Sequence, residues 1–287
     1  MKTVLITGVS SGLGQGMAQA FCRRGYRVVG TVRSTLDAKR AQQHAGPNLV
    51  PLRLDVRDLD AVAQLPETLS RMGIAGRLAG LINNAGILRS GPVLTQPMDE
   101  MKDQFDVNVL GLIAVTQALL PMLGADAGLR GTASEPPGRI INISSVGGRV
   151  ATPFIAGYNA SKHAVEGFSH ALRRELMPFG IGVTIVGPGA VRWSIWSNEP
   201  LASADGDAGG IYAESLALFQ GMASRIQRSA FTEQEAGERI LDIFEAKKAA
   251  IREPLVRGRL VNWLLPSMLP DRWLDAALRT SLKLHSR

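Results

Sequence analysis

The stretch Asn142–Lys162 reads N-I-S-S-V-G-G-R-V-A-T-P-F-I-A-G-Y-N-A-S-K. It opens inside the β-branched apolar run Ile140–Ile143, which is typical of a short buried strand. From Tyr158 onward apolar residues recur every three or four positions, which predicts a helix with one apolar face. The chain therefore passes here from a strand, through serines and glycines, into a helix.

Three polar residues of this stretch suggest acid–base chemistry. Tyr158 and Lys162 are four positions apart at the start of the predicted helix, so they share a face. A free phenol titrates near pH 10, and a neighbouring cation would bring its pKa closer to neutral, where a general acid or base works best. Ser145, at the end of the strand, is placed to share an oxygen ligand with Tyr158. A lone Y-x-x-x-K is more often a packed tyrosine and a solvated lysine, so the assignment needs further motifs.

A glycine-rich turn near the N-terminus supplies the first of these motifs. The apolar strand Thr3–Ile6 is followed by T-G-V-S-S-G-L-G at Thr7–Gly14 and then by an apolar helical pattern. Glycines between a strand and a helix let the backbone approach a pyrophosphate, which rests on the unpaired N–H groups of the helix. The turn predicts a dinucleotide site.

Together these motifs resemble the short-chain dehydrogenase/reductase family over roughly residues 1 to 192. The family's T-G-x-x-x-G-x-G, N-N-A-G and Y-x-x-x-K stand at Thr7–Gly14, Asn83–Gly86 and Tyr158–Lys162. Its active-site asparagine and serine match Asn108 and Ser145, and further family matches are Asp55 and the Pro188-Gly189 pair. The stretch 144–167 is most similar to the steroid and retinol dehydrogenase branch.

The resemblance implies a role for each site residue. Tyr158 would exchange a proton with the substrate oxygen, and Ser145 would orient that oxygen. Lys162 would lower the pKa of Tyr158 and bind the nicotinamide ribose, while Asn108 would hold a water that connects to Lys162. The expected cofactor contacts are Gly8, Ser10, Ser11, Gly12, Leu13, Gly14, Arg33, Asp55, Val56, Asn84, Ala85, Gly86, Tyr158, Lys162, Pro188, Gly189 and Val191. No metal site is expected.

The residues after the second predicted strand, Tyr26–Val32, indicate which dinucleotide binds. A carboxylate here would bind both ribose hydroxyls and repel a 2′-phosphate. This chain instead has Arg33, which can form charge-assisted hydrogen bonds with a phosphate. The sequence predicts NADP as cofactor, with NAD as the alternative.

Composition limits the fold and the partners. With 287 residues and strands alternating with helices, the chain is predicted to be a single α/β domain, a Rossmann-type doubly wound parallel sheet. Residues 1–192 would form the cofactor-binding and catalytic core, and 193–287 the substrate lid and C-terminal helices. The net charge of +7 is scattered, so no nucleic-acid partner is expected. The single cysteine and the absence of a signal peptide or a membrane-length apolar run predict a cytoplasmic enzyme.

Three segments depart from the family or have no assigned chemistry. Trp193 stands where many relatives carry a threonine, and Ser194 could replace that hydroxyl. Trp193–Tyr212 is expected to form the lid, with its tryptophans facing either the substrate or the domain. Gly124–Gly138 is predicted to be a loop. The apolar segment Leu255–Pro266 could cover the substrate, contact another subunit or lie on a membrane surface, and we favour the first two.

The sequence thus predicts an NADP(H)-dependent oxidoreductase that interconverts a lipophilic alcohol and its ketone or aldehyde. A sugar or acyl-thioester (3-oxoacyl) reductase is the alternative enzyme, and a non-catalytic cofactor-sensing protein is the alternative of another class. Apolar residues on a second side of the helices that carry Asn108 and Tyr158 predict a homodimer or homotetramer. These residues are Val109, Ile113, Leu120, Ala160, Ala164 and Phe168.

Overall fold

The computed structural model describes residues 1–74, 76–125, 136–192 and 210–284. In this part of the chain seven parallel strands form one sheet in the order β3-β2-β1-β4-β5-β6-β7. The strand bounds are β1 Thr3–Ile6, β2 Arg27–Val32, β3 Leu49–Arg53, β4 Gly80–Asn83, β5 Arg139–Ile143, β6 Gly182–Pro188 and β7 Arg252–Leu255. The order reverses between β1 and β4, which makes the carboxyl ends of these two strands the switch point of the fold.

Helices cover both faces of the sheet. The α-helices are α1 Gly12–Arg23, α2 Thr35–Ala45, α3 Leu59–Ala63, α4 Leu65–Arg71, α5 Met98–Phe105, α6 Leu112–Leu123, α7 Ala156–Glu175, α8 Ala213–Arg228, α9 Glu233–Glu245, α10 Leu265–Met268 and α11 Asp271–Leu282. Because successive strand residues point to opposite faces, Val4 and Ile6 pack in one core and Leu5 in the other. The first core is covered by α1 and α9, and the second by α4, α6 and α7. The predicted doubly wound fold is confirmed.

Helices α1 and α9 approach each other closely through glycines. A Cβ atom added to Gly16 would lie 2.0 Å from the carbonyl oxygen of Glu233. One added to Gly237 would lie 2.3 Å from the carbonyl oxygen of Gly16. A side chain at either position would push the helices apart, so these glycines fix α1 and the loop before it against α9.

The apolar stripe Met101, Phe105, Leu112 and Val115 predicts one regular helix over about Asp99–Leu120, and the region around Asn108 differs from this prediction. Between α5 and α6 the backbone forms a π-helical segment, Asp106–Gly111, which shifts the buried face of the helix. Gln104 is fully buried whereas Phe105 is 36% exposed, so the expected apolar stripe through Phe105 was wrong. Met98–Leu123 is apolar and long enough to span a membrane by composition alone, but its α6 part packs in the second core as an ordinary core helix does.

The spacing of apolar residues also predicts one helix over Leu59–Met72, and the structure shows this helix interrupted. It divides at Gln64 into α3 and α4, and Pro66 lies in the first turn of α4, where a missing N–H costs no hydrogen bond. Of the predicted loop Gly124–Gly138, the described residues 124–125 and 136–138 lie outside helices and strands.

The C-terminal third contributes more to the domain than the lid and helices expected there. Strand β7 pairs with β6 at the edge of the sheet, and α9 belongs to the first core. After β7, a π-helical segment, Leu260–Leu264, leads into α10. Its Trp263 ring stacks on the guanidinium of Arg252 at 4.3 Å, whereas Leu260 and Val261 are exposed.

Candidate active site

A cleft of about 410 Å³ opens at the carboxyl ends of the strands beside the switch point. All the residues expected to contact the cofactor line it, together with Ser145. These residues are Gly8, Ser10, Ser11, Gly12, Leu13, Gly14, Arg33, Asp55, Val56, Asn84, Ala85, Gly86, Tyr158, Lys162, Pro188, Gly189 and Val191. Asn108 is not among the lining residues.

The glycine loop at the start of α1 is held in place by the N-N-A-G motif. The Asn84 side chain donates hydrogen bonds of 2.9 Å to the carbonyl oxygens of Thr7 and Gly8, and the Thr7 hydroxyl accepts from the Asn84 and Ala85 amides. Gly8 has φ +72°, and a Cβ on Gly14 would lie 1.9 Å from the Gly8 carbonyl oxygen. The loop therefore needs glycines at these positions, and it turns bare backbone toward the cleft, which suits a diphosphate group.

Two arginines lie at the other end of the cleft. Arg33 follows β2, is exposed, and forms no ion pair with any described residue. Arg57 bridges two carboxylates, with Nη2 at 2.7 Å from Asp55 and Nη1 at 2.8 Å from Asp103. The hydrogen bond from Arg57 is the main reason that the pKa of Asp55 is lowered, with Arg33 adding to the effect. The sequence interpretation missed Arg57, although it lies only two residues after Asp55.

Ser145 and Tyr158 meet where β5 and α7 come together. The Ser145 hydroxyl accepts a hydrogen bond of 3.0 Å from the Gly147 amide, which orients it just beyond the strand. Burial raises the pKa of Tyr158 above its usual 10, and a hydrogen bond with Ser145 opposes the shift. We expected the cation of Lys162 to lower this pKa. Its Nζ lies 5.8 Å from the centroid of the Tyr158 ring, and the effect of burial determines the direction of the shift. In the structure Tyr158 is therefore a neutral phenol at pH 7.

Lys162 is almost fully enclosed beneath the cleft. Its Nζ donates a hydrogen bond of 3.0 Å to the carbonyl oxygen of Ile143, the last residue of β5. Burial lowers its pKa to about 8, and the nearby carboxylate of Glu166 acts in the opposite direction.

Asn108 lies in the π-helical segment, one layer behind the cleft. Its Oδ1 accepts from the Ile87 amide at 2.8 Å, and its Nδ2 donates to the Ile87 carbonyl at 2.9 Å and to the Ser161 hydroxyl at 3.0 Å. A Cβ on Gly86 would lie 3.2 Å from Oδ1 and 3.6 Å from Lys162 Nζ. The side chain of Asn108 thus ties the chain after β4 to α7, and the water expected between Asn108 and Lys162 remains a prediction.

A second cavity of about 310 Å³ adjoins the cleft, and Ser145, Tyr158 and Gly189 line both. Its walls are mostly apolar and come from the turn after β5, from α8 and from the segment after β7. The apolar residues are Val146, Val150, Ile155, Ala190, Phe219, Met222, Ala223, Ile226, Ala230, Phe231 and Val256. The sequence interpretation missed the α8 wall, although Phe219, Met222 and Ile226 have helical spacing. The residues proposed for the lid, Trp193, Ser194 and Trp196, lie outside the described residues.

Similarity to known proteins points to the same kind of dinucleotide-binding protein as the geometry of the cleft does. The family model described as short chain dehydrogenase matches residues 2–201. The NADPH-dependent 3-dehydrocapnine reductase of Ornithobacterium rhinotracheale is 32% identical, with 99% of this chain and 98% of that protein covered. Retinol dehydrogenase 5 of Mus musculus is 38% identical over 70% of this chain and 60% of its own length.

Among solved structures, a short-chain dehydrogenase from Streptomyces avermitilis is similar along nearly the whole chain. Its TM-score is 0.75 and its sequence is 29% identical, with 99% of this chain and 96% of that chain covered. The chain belongs to the short-chain dehydrogenase/reductase family of oxidoreductases, with retinol dehydrogenases among its relatives.

Proposed function

We propose that the protein uses NADPH to reduce a lipophilic ketone or aldehyde to its alcohol, and can run the reverse oxidation. The observation that carries this proposal is the position of Ser145 and Tyr158. Their side chains line both the cofactor-sized cleft and the apolar cavity beside it. A carbonyl group placed at this junction would reach both hydroxyls while the rest of its molecule fills the apolar cavity.

The cleft suits NADPH at both ends. The glycine loop offers bare backbone to a diphosphate, and Arg33 offers an exposed guanidinium to a 2′-phosphate. The nearest carboxylate in sequence, Asp37, accepts a 2.7 Å hydrogen bond from the Ser34 hydroxyl at the start of α2. The NADPH dependence named for the Ornithobacterium rhinotracheale relative supports the same choice. Bound NADPH would supply the hydride.

The protonation states of the catalytic residues suit carbonyl reduction. The pKa of a tyrosine phenol is ordinarily near 10 and burial raises it further, so Tyr158 holds a proton at neutral pH that it can donate to the substrate oxygen. Ser145 would hold that oxygen with a second hydrogen bond. Lys162, with a pKa near 8, is mostly charged at pH 7 and would favour the phenolate left after the proton transfer.

The lining of the second cavity supports a lipophilic substrate. Its polar side chains, apart from the catalytic pair, are Thr152, Gln227, Ser229, Arg257 and Asn262. The remaining wall offers aliphatic and aromatic surface, which gains by excluding water from an apolar ligand. A sugar would leave the hydroxyls that face this apolar part of the wall without hydrogen-bond partners. The similarity to retinol dehydrogenase 5 agrees with a lipophilic substrate.

A substrate panel tests the proposal. NADPH oxidation would be followed by absorbance with long-chain ketones and retinal-type aldehydes, and separately with keto-sugars and short acyl thioesters. We expect turnover with the first group and none above background with the second, and no turnover by Tyr158→Phe with any substrate. A preference for sugars or thioesters would overturn the lipophilic assignment. NADH used more efficiently than NADPH would overturn the cofactor assignment.

A further inference from the structure

A buried ion pair lies one helical turn beyond Lys162. Glu166 on α7 accepts a hydrogen bond from Nη1 of Arg252 on β7, and their side chains are only 8% and 12% exposed. Buried ion pairs seldom add stability, because removing two charges from water costs about as much as their attraction returns. This pair therefore calls for an explanation other than stability.

Several buried polar atoms of the pair and of the neighbouring Ser144 have no hydrogen-bond partner within the part of the chain that the structure describes. Ser144 Oγ, Glu166 Oε1 and two Arg252 nitrogens, Nε and Nη2, are buried without a hydrogen-bond partner among the described protein groups. A Cβ on Gly148 would lie 2.5 Å from Ser144 Oγ and 3.2 Å from Glu166 Cγ. The backbone of Gly148 thus packs directly against the side chains of Ser144 and Glu166. Buried polar atoms of this kind are normally satisfied by water.

Glu166 is also the carboxylate that acts on Lys162. The two residues are four apart on α7, so their side chains lie on the same face. Burial lowers the pKa of Lys162, and Glu166 counters that effect. We propose that Glu166, anchored by Arg252, is a positioning residue that keeps the buried Lys162 ammonium charged. The proposal rests on the proposed function, in which a charged Lys162 assists Tyr158.

Other charged groups near the pair do not replace Glu166. His170, one turn further along α7, interacts with Glu166, and burial lowers its pKa. Arg149, in the turn after β5, is an exposed cation that interacts with Arg252 and His170. On the other side of Lys162 lie the Tyr158 ring and the Ile143 carbonyl oxygen. Among these groups Glu166 supplies the negative charge.

The test measures the charge of Lys162 directly. Acetic anhydride acetylates neutral amines, so the pH dependence of labelling on the Lys162 peptide, read by mass spectrometry, reports the midpoint of its titration. The variants are Glu166→Gln and the double variant Glu166→Gln with Arg252→Gln, which leaves no unpaired buried charge. Glu67→Gln is the control, because Glu67 and Arg71 form an exposed pair with the same spacing at 3.8 Å. Melting temperatures show whether each variant folds.

We expect the Lys162 midpoint to fall by about one unit in both Glu166 variants, since a neighbouring opposite charge typically shifts a pKa by about that much. The control should titrate as the unmodified protein does. The high-pH limit of NADPH-dependent turnover should move down in parallel. A midpoint that stays in place in the double variant would overturn the proposal and leave the pair a structural role. Because labelling requires neither cofactor nor substrate, this result stands whether or not the proposed reductase activity is found.

Discussion

Replacing Tyr158 by phenylalanine separates its chemical role from its packing role. The ring packs in a cluster with Leu88, Phe154, Ile155 and Phe219, and phenylalanine keeps these contacts. Stability should fall only by the hydrogen bond with Ser145, about 0.5–1.5 kcal/mol. The proton donor is lost completely, so we expect kcat to fall about 10²–10⁴-fold, or about 2.7–5.5 kcal/mol of activation free energy.

The assay compares three quantities in the same preparation: kcat for NADPH-dependent reduction, NADPH affinity by fluorescence, and the melting temperature. We expect the first to collapse and the other two to stay close to the unmodified protein. Tyr26→Phe is the matched control, because its hydroxyl bonds to Glu245 at 3.2 Å on the far side of the first core. If Tyr158→Phe retains more than about a tenth of the activity, Tyr158 is not the proton donor.

Three further predictions concern the cofactor, pH and assembly. Arg33→Asp should invert the preference between NADPH and NADH, because it replaces the partner of the 2′-phosphate by a carboxylate. The preference is measured as the ratio of the two kcat/KM values, and an unchanged ratio would contradict the role of Arg33. Raising pH through about 8 removes the charge of Lys162, so kcat/KM for reduction should fall there rather than near 10, in a pH profile at constant ionic strength. Phe168 is half-buried beside Val109 and Val165. Phe168→Asp should shift the predicted dimer toward the monomer in light scattering. A wild-type protein that is monomeric at micromolar concentration would contradict the predicted assembly.

Much of the fold and the cleft could be predicted because their determinants are local. The glycines of Thr7–Gly14 and the spacing of Tyr158 and Lys162 act within a few residues, so they are visible in the sequence. The predicted strands Thr3–Ile6, Tyr26–Val32 and Ile140–Ile143 agree with β1, β2 and β5 to within one residue at each end.

The features that were missed depend on contacts between distant parts of the chain. Strand β7, with Pro254 and two charged residues, does not resemble a strand, and it forms because β6 offers an open sheet edge. The π-helical segment follows from tertiary packing that buries Gln104 and Asn108 together, which no period of 3.6 residues predicts. The apolar wall from α8 could be recognised only once that helix was placed against Tyr158.

The rise in the pKa of Tyr158 also depends on contacts between distant parts of the chain. Tyr158 lines both the cofactor cleft and the apolar cavity, so this rise links the two. Burial favours the neutral forms of both groups, which raises the pKa of Tyr158 and lowers that of Lys162. Water entering the apolar cavity would weaken the shift of Tyr158, which lines that cavity, because it would solvate the phenolate. A lipophilic substrate that fills the cavity would remove this water from around the Tyr158 hydroxyl, so that the proton passes directly to the carbonyl oxygen. The apolar walls would therefore select the substrate and also exclude water from the proton donor that acts on it.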